Sequence, residues 1–155
     1  MVSLSRLAVL AVVCVALAGC FSAPVHPINP PSASIQLLEV QPDGHWKVSI
    51  RLENFSEKTV HYSTLKANLR ISGIDTGEIS LQPEMDIPGL NADVVDTILT
   101  PSSDLQKAFA LDVKAPGGVA YEIKGTIGIP LAGKDFKFEH KSRLSPVPGI
   151  PNQYR

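Results

Sequence analysis

A period of two runs through the middle of the chain and restricts it more than any other feature. Trp46, Val48, Ile50 and Leu52 occupy alternate positions, with Lys47, Ser49, Arg51 and Glu53 between them. Successive side chains of a strand point to opposite faces, so this stretch buries one face and wets the other only as a half-buried β-strand. The same logic applies where Leu65, Ala67, Leu69 and Ile71 alternate with Lys66, Asn68, Arg70 and Ser72. It applies again where Tyr121, Ile123, Gly125, Ile127 and Ile129 alternate with Glu122, Lys124 and Thr126, and where Phe136 and Phe138 alternate with Lys137 and Glu139. Shorter candidates are Ile35 with Leu37 and Leu38, Ile79 with Leu81, and the run Val95 to Leu99. Trp46 and Tyr121 fall on the inward register and are expected in the core.

Turn dipeptides separate these segments: Asp43-Gly44, Ser72-Gly73, Thr76-Gly77, Pro88-Gly89, Gly117-Gly118 and Ala132-Gly133. About seven strands punctuated in this way predict an all-β fold, an antiparallel β-sandwich of the immunoglobulin or fibronectin III kind. One stretch departs from the period. Ser102 and Ser103 can cap a helix, and Leu105, Ala108 and Phe109 follow at helical spacing, which predicts one short helix over an open end of the sandwich.

With 155 residues the chain makes one domain. Hydrophobic residues at 44% and charged residues at 19% supply a core and exclude a disordered chain. A net charge of -1 gives no field for gripping nucleic acid, so no nucleic-acid partner is expected.

The first residues read as an address. Arg6 precedes an apolar run from Leu7 to Leu17, too short to span a bilayer, and Leu17-Ala18-Gly19-Cys20 resembles the bacterial lipobox. In that arrangement the Cys20 thiol receives the lipid, and the small Ala18 and Gly19 admit the peptidase. Residues 1–19 are thus expected to be a lipoprotein signal peptide. Several acyl chains, at about 0.8 kcal/mol per buried CH₂, would anchor Cys20 to the membrane without crossing it. Phe21 stands where inner-membrane lipoproteins of Gram-negative bacteria commonly carry Asp, which points to an outer-membrane address facing the periplasm. Cys14 lies in the removed segment and Cys20 is consumed by lipid, so the mature fold is expected to hold no disulfide.

Residues 20–33 carry prolines at 24, 27, 30 and 31 and read as the lipidated Cys followed by a semi-rigid tether. Residues 34–144 form the sandwich domain. Residues 145–155, with Pro146, Pro148 and Pro151, are expected to be a loosely draped tail.

The remaining chemistry is sparse. His26, His45, His61 and His140 are far apart, with no metal-ligand spacing, and read as exposed or strand-end residues. Glu84, Asp86, Asp93 and Asp96 crowd one region, but their spacing matches no calcium loop, so they are expected to be solvated acids. Neither a Gly-x-Ser-x-Gly elbow nor a phosphate loop occurs. No catalytic residue, metal, cofactor or small-molecule substrate is therefore identified. Lys134, Lys137, Lys141 and Arg143 lie along the last strand, where positive charge could meet anionic lipid or a partner but is expected to guard a solvated edge against strand addition.

The order of these motifs resembles the WHy domain (water stress and hypersensitive response) of the late embryogenesis abundant proteins, type 2, over most of residues 34 to 144. Asn54 ends the second strand in Leu52-Glu53-Asn54-Phe55-Ser56. The strand Leu65 to Ile71 runs into Gly73, and the turn Asp75-Thr76-Gly77-Glu78 precedes another strand. Ile87-Pro88-Gly89 then leads into a Val-rich strand, and Tyr121-Glu122-Ile123-Lys124-Gly125-Thr126 into a closing hairpin. The family usually has Pro after the Asn, and this chain has Phe55 there. The resemblance implies a non-catalytic sandwich associated with desiccation, osmotic or other stress, with Asn54, Gly73, Gly77 and Gly125 as its shared residues and no cofactor. An adaptor module for other envelope proteins is the alternative.

Overall fold

The computed structural model describes residues 27–155. The expected signal peptide, the lipobox-like Leu17-Ala18-Gly19, Cys20 and His26 lie outside the described residues.

The long alternating segments are strands. β1 (Ser32–Val40) and β2 (Trp46–Glu53) form a hairpin, followed by β3 (Val60–Tyr62), β4 (Thr64–Ile71), β5 (Ile74–Leu81), β6 (Met85–Ile87) and β7 (Ala92–Leu99). A helix α1 (Ser103–Asp112) leads to β8 (Val119–Ile129), β9 (Lys134–Leu144) and a short β10 (Gln153–Tyr154). One sheet has the order β10-β1-β2-β7, the other β5-β4-β8-β9, and β3 pairs with β6 as a ribbon beside them. Every pairing is antiparallel. The expected all-β sandwich with one short helix is the fold.

The inward residues fill a single core. Val48, Ile50 and Leu52 of β2 meet Leu65, Leu69 and Ile71 of β4 and Ile123, Ile127 and Ile129 of β8, each at most 1% exposed. Trp46 and Tyr121 are buried as their register requires. Helix α1 begins where Ser102 accepts the Leu105 N–H at 3.2 Å, and it buries Leu105 and Phe109 against the core. The side-chain oxygen supplies one acceptor that the first helical turn lacks.

The period of two fails locally at two bulges. Ile35 pairs with Ile50 but Leu37 pairs with Ser49, so Gln36 is an extra residue in β1. The inward position therefore moves to Leu38, which is fully buried, while Leu37 is only half-buried. The edge amide freed there, Ile35 N–H, donates to the Tyr121 hydroxyl of the opposite sheet at 3.2 Å. In the second bulge Asn68 pairs with Glu78 and Arg70 with Asp75, which leaves Thr76 and Gly77 opposite Leu69. Thr76-Gly77 is thus a kink inside β5, not a turn ahead of a strand, and Gly77 takes φ +93 where a Cβ would be strained. The turn joining β4 to β5 is Ser72-Gly73, both at positive φ (51 and 76), which is the twist a two-residue hairpin prefers.

Within the described residues, both flanks of the sandwich are more ordered than their prolines predict. Residues 145–155 are not a draped tail: they fold back as a hairpin in which Ser145 and Arg155 exchange backbone hydrogen bonds at 2.8 and 2.9 Å. Leu38 pairs with Tyr154, and Val40 N–H donates to the Asn152 carbonyl, so β10 covers part of the β1 edge. At the other end the domain starts before residue 34. Ile28 packs on the core, and β1 begins at Ser32.

Candidate functional site

Asn54 is the most heavily bonded side chain among the described residues, and it is 2% exposed. It stands one residue past β2. Its Nδ2 donates to the carbonyls of Lys58 (2.9 Å), Ile87 (2.9 Å) and Pro88 (3.1 Å), and its Oδ1 accepts the Ser56 N–H at 2.9 Å. Its own N–H donates to Asn91 O at 2.8 Å. One amide thereby ties the end of β2 to the loop before β3 and to the end of β6. Buried polar groups need partners, and here all are backbone groups, those of Ser56, Lys58 and Pro88 lying outside any strand. The neighbouring Ser56 is fully buried, and its hydroxyl accepts the Asn29 N–H at 3.0 Å while Asn29 Nδ2 reaches Phe55 O at 2.7 Å. The chain arriving from the N-terminal side is fastened to this node. Gly89 closes it, because a Cβ there would run into the Glu57 carbonyl.

The other residues of the resemblance also shape the frame. Gly73 makes the β4–β5 turn, Gly77 the bulge, and Gly125 the close approach of β8 to β4, where a Cβ would meet the Lys66 carbonyl and Ala67 Cα. Asn54, Gly73, Gly77 and Gly125 do not converge on one hollow.

The titratable groups are distributed along exposed strands. His61 on β3 lies between two acids of the β6 side, with Nδ1 2.8 Å from Asp86 and Nε2 3.0 Å from Glu84. Hydrogen bonds to Glu84 and then Asp86 raise its pKa above the ordinary histidine value. Residue spacing does not reveal this cluster, because the pairing of β3 with β6 creates it. The crowded acids disperse. Asp96 accepts from Ser49 Oγ at 2.6 Å and pairs with Lys47 at 2.8 Å, and Asp93 accepts the Val94 N–H. No group of three or more His, Cys, Asp or Glu among the described residues is placed to hold a metal ion. His45 sits in the β1–β2 turn, and the His140 ring lies 6.0 Å from that of Tyr121.

β9 stands at the end of its sheet, so one of its edges has no neighbouring strand there. Lys134 lies over the Phe136 ring at 4.7 Å, Lys141 contacts Glu139 at 3.0 Å and Glu122 at 3.5 Å, and Arg143 donates to the Gly117 and Gly118 carbonyls. Lys137 is exposed. The basic residues do line an edge strand, as their sequence position suggests.

A cleft lies at the pole opposite the Asn54 node. Ser32 pairs with Glu53 at one end of the β1–β2 hairpin and Val40 with Trp46 at the other. At about 3.3 Å per residue, the nine residues of β1 separate the poles by about 30 Å. There α1, β10 and the β1–β2 turn line an open cleft of ≈ 300 Å³ walled by Trp46, Phe109, Val113 and Tyr154, with Gln106 and Lys114 among the lining residues. The rings form a cluster. Trp46 and Phe109 have centroids 4.6 Å apart, and Phe109 and Tyr154 meet edge to face at 4.9 Å. Period-two reading placed Trp46 in the core but missed the cleft, because Tyr154 arrives from a segment with no periodicity.

Among the described residues, no helix is long and apolar enough to cross a membrane. No family model matches the chain, and no curated protein matches it. Solved structures do match. A solution structure from Arabidopsis thaliana shares 14% identity at a TM-score of 0.53, covering 83% of this chain and 92% of that one. A crystal structure of a protein from Archaeoglobus fulgidus shares 14% identity over 78% of this chain and all of that one (100%), with a TM-score of 0.37 that supports no argument. At such identity the Arabidopsis likeness shows the fold alone.

Proposed function

We propose that this chain is a non-catalytic protein of the cell envelope, held on the membrane by lipid at Cys20, and that it belongs to the LEA type 2/WHy kind and protects the envelope during drying or osmotic stress. One observation carries the reading. The residues through which the sequence resembles that family are the residues that build the frame, with Asn54 as a buried hydrogen-bond node, Gly73 and Gly77 at positive φ, and Gly125 at a close strand approach. A family marked by architecture and by no shared reactive group suits a protein that acts through its surface. The lipobox-like run Leu17-Ala18-Gly19-Cys20 and the proline-rich segment behind it supply the address, outer membrane and facing the periplasm. Packing without a disulfide suits a domain that loses and regains water.

The test is survival of a deletion strain after drying, hyperosmotic shock and freezing. Reduced survival is expected, restored by the wild-type gene and not by Cys20→Ser. Unchanged survival under all three stresses would overturn the stress reading.

The unpaired edge of β9 favours a second reading, an adaptor for one envelope protein. In-cell crosslinking with and without hyperosmotic stress separates the two. A single partner at constant stoichiometry, lost on Lys137→Glu with Lys141→Glu, makes the chain an adaptor, and a diffuse set growing under stress favours protection.

A further inference from the structure

We propose that the cleft between α1, β10 and the β1–β2 turn binds a small apolar carboxylate, with its hydrocarbon part on Trp46, Phe109 and Tyr154 and its carboxylate between the Trp46 indole N–H and the Lys114 ammonium. The inference goes beyond the envelope reading and does not depend on the lipid anchor.

Three observations support it. The first is shape and chemistry: ≈ 300 Å³ walled mainly by aromatic and aliphatic groups lies at the small end of ligand sites, with room for one ring and a short chain. The second is an unused donor. Trp46 is 2% exposed, yet among the described residues its Nε1–H has no acceptor, and it is not one of the polar atoms sealed from solvent without a partner. A buried indole usually finds a partner for its N–H, so this donor is available to an acceptor that enters. The third is charge. Lys114, exposed at the rim, is the single ionised residue lining the cleft, and its ammonium has no counter-ion among the described residues. Asp43 on the adjoining turn is engaged by the His45 backbone N–H at 3.0 Å.

Aromatic walls alone would also suit a cation. Lys114 selects against that and for an anion, and a carboxylate with two donors beside an apolar wall gains charge-assisted bonds that strengthen as water leaves. The rings are held in place by each other and by the pairing of Tyr154 with Leu38, so little ordering remains for binding to impose. The cleft also faces away from the pole where the N-terminal segment enters, and so stays open if that segment is tethered.

The single tryptophan gives one indole N–H cross-peak in a ¹⁵N-correlated spectrum of the full chain, and it reports on this site directly. The probes are 3-phenylpropionate, its neutral amide, and the peptide Gly-Gly-Phe with a free carboxylate. A saturable shift of that peak is expected with a carboxylate probe, at least tenfold weaker with the amide, and at least tenfold weaker in Lys114→Gln but not in Lys114→Arg. Binding of 3-phenylpropionate alone identifies a free acid as the ligand, and binding of the peptide alone identifies a chain terminus. No saturable shift, equal binding of acid and amide, or unaltered binding in a Lys114→Gln variant with an otherwise native spectrum would overturn the proposal.

Discussion

Asn54→Asp alters one group of the molecule without altering its shape, and its effect can be worked out from the node. The new oxygen takes the place of Nδ2 and faces the carbonyls of Lys58, Ile87 and Pro88, all within 3.1 Å of that atom. Two of the bonds lie at buried groups, Nδ2 to Ile87 O and Ser56 N–H to Oδ1, and two at partly buried ones. Asn54→Leu breaks both buried bonds, each leaving a group whose desolvation costs about 1–3 kcal/mol, so a loss of about 3–4 kcal/mol is expected. That is a large share of the roughly 5–15 kcal/mol of a typical domain. Asn54→Asp keeps the acceptor for Ser56 and loses the donors, and it adds a charge among carbonyl oxygens. The carboxyl responds by holding its proton, so its folded pKa rises above the unfolded value of about 3.9. The folded state then binds more protons than the unfolded one. Stability of the variant relative to wild type should fall by about 1.4 kcal/mol per pH unit from near pH 4 up to the raised folded value, and level off above it. Guanidinium unfolding of wild type, Asn54→Leu and Asn54→Asp between pH 3.5 and 7 measures all three. Stability of both variants within about 0.5 kcal/mol of wild type, a size typical of surface substitutions, or a flat pH difference for Asn54→Asp, would refute the node as described.

Three further changes test other parts of the frame. Gly125→Ala places a Cβ against the Lys66 carbonyl and Ala67 Cα, so it should lower stability by about 1–3 kcal/mol in chemical unfolding, and a neutral result would contradict the close approach of β8 to β4. Tyr121→Phe removes the acceptor of the Ile35 N–H at the β1 bulge and should cost about 1–2 kcal/mol; a variant as stable as wild type would mean that the amide finds water instead. The raised pKa of His61 sets a direction with pH. Protonated His61 holds β3 to β6 fully below the ordinary value of about 6.5, and that contribution is lost as pH rises through the raised folded value. Amide exchange at Val60, Tyr62 and Ile87, corrected for intrinsic rates, should show opening become easier between pH 6 and 9 in wild type and not in His61→Asn, and equal pH responses would remove the clamp.

The sandwich was legible where one rule acts alone. Alternation placed Trp46, Val48, Ile50 and Leu52 inside because β2 is a regular strand between two neighbours, and Ser102 marked the helix because capping is local. Leu37 and Leu38 could not be ranked from the period, since Gln36 bulges out and moves the inward position by one. Thr76-Gly77 has turn composition, yet it lies inside β5, because a glycine at positive φ serves a bulge as well as a turn. The prolines at 146, 148 and 151 suggested a draped segment. Proline forbids only its own N–H, and the amides of Ser145, Val147 and Arg155 suffice to close a hairpin. His61 with Glu84 and Asp86, and Trp46 with Tyr154, meet across 20 or more residues of intervening chain, which no local pattern encodes.

The two poles of the sandwich divide its structural and binding roles. At one pole Asn29, Asn54, Ser56 and Gly89 consume their polar capacity on one another and on backbone, which makes a rigid attachment point for whatever precedes residue 27. At the other, Trp46 and Lys114 retain a donor and a charge without partners among the described residues, beside rings already ordered by Phe109. Saturated polar groups stabilise and are poor at recognition, whereas groups open to water beside an apolar wall can exchange that water for a complementary group. Substitutions at the two poles should therefore separate in a single pair of assays. Asn54→Leu should lower unfolding free energy while leaving the 3-phenylpropionate affinity of the folded fraction intact, and Lys114→Gln should do the reverse. The poles are about 30 Å apart with no shared partner, so the double variant should show the two effects added without coupling. A coupling above about 0.5 kcal/mol would mean that the sandwich transmits strain between its ends and that the node serves recognition as well as attachment.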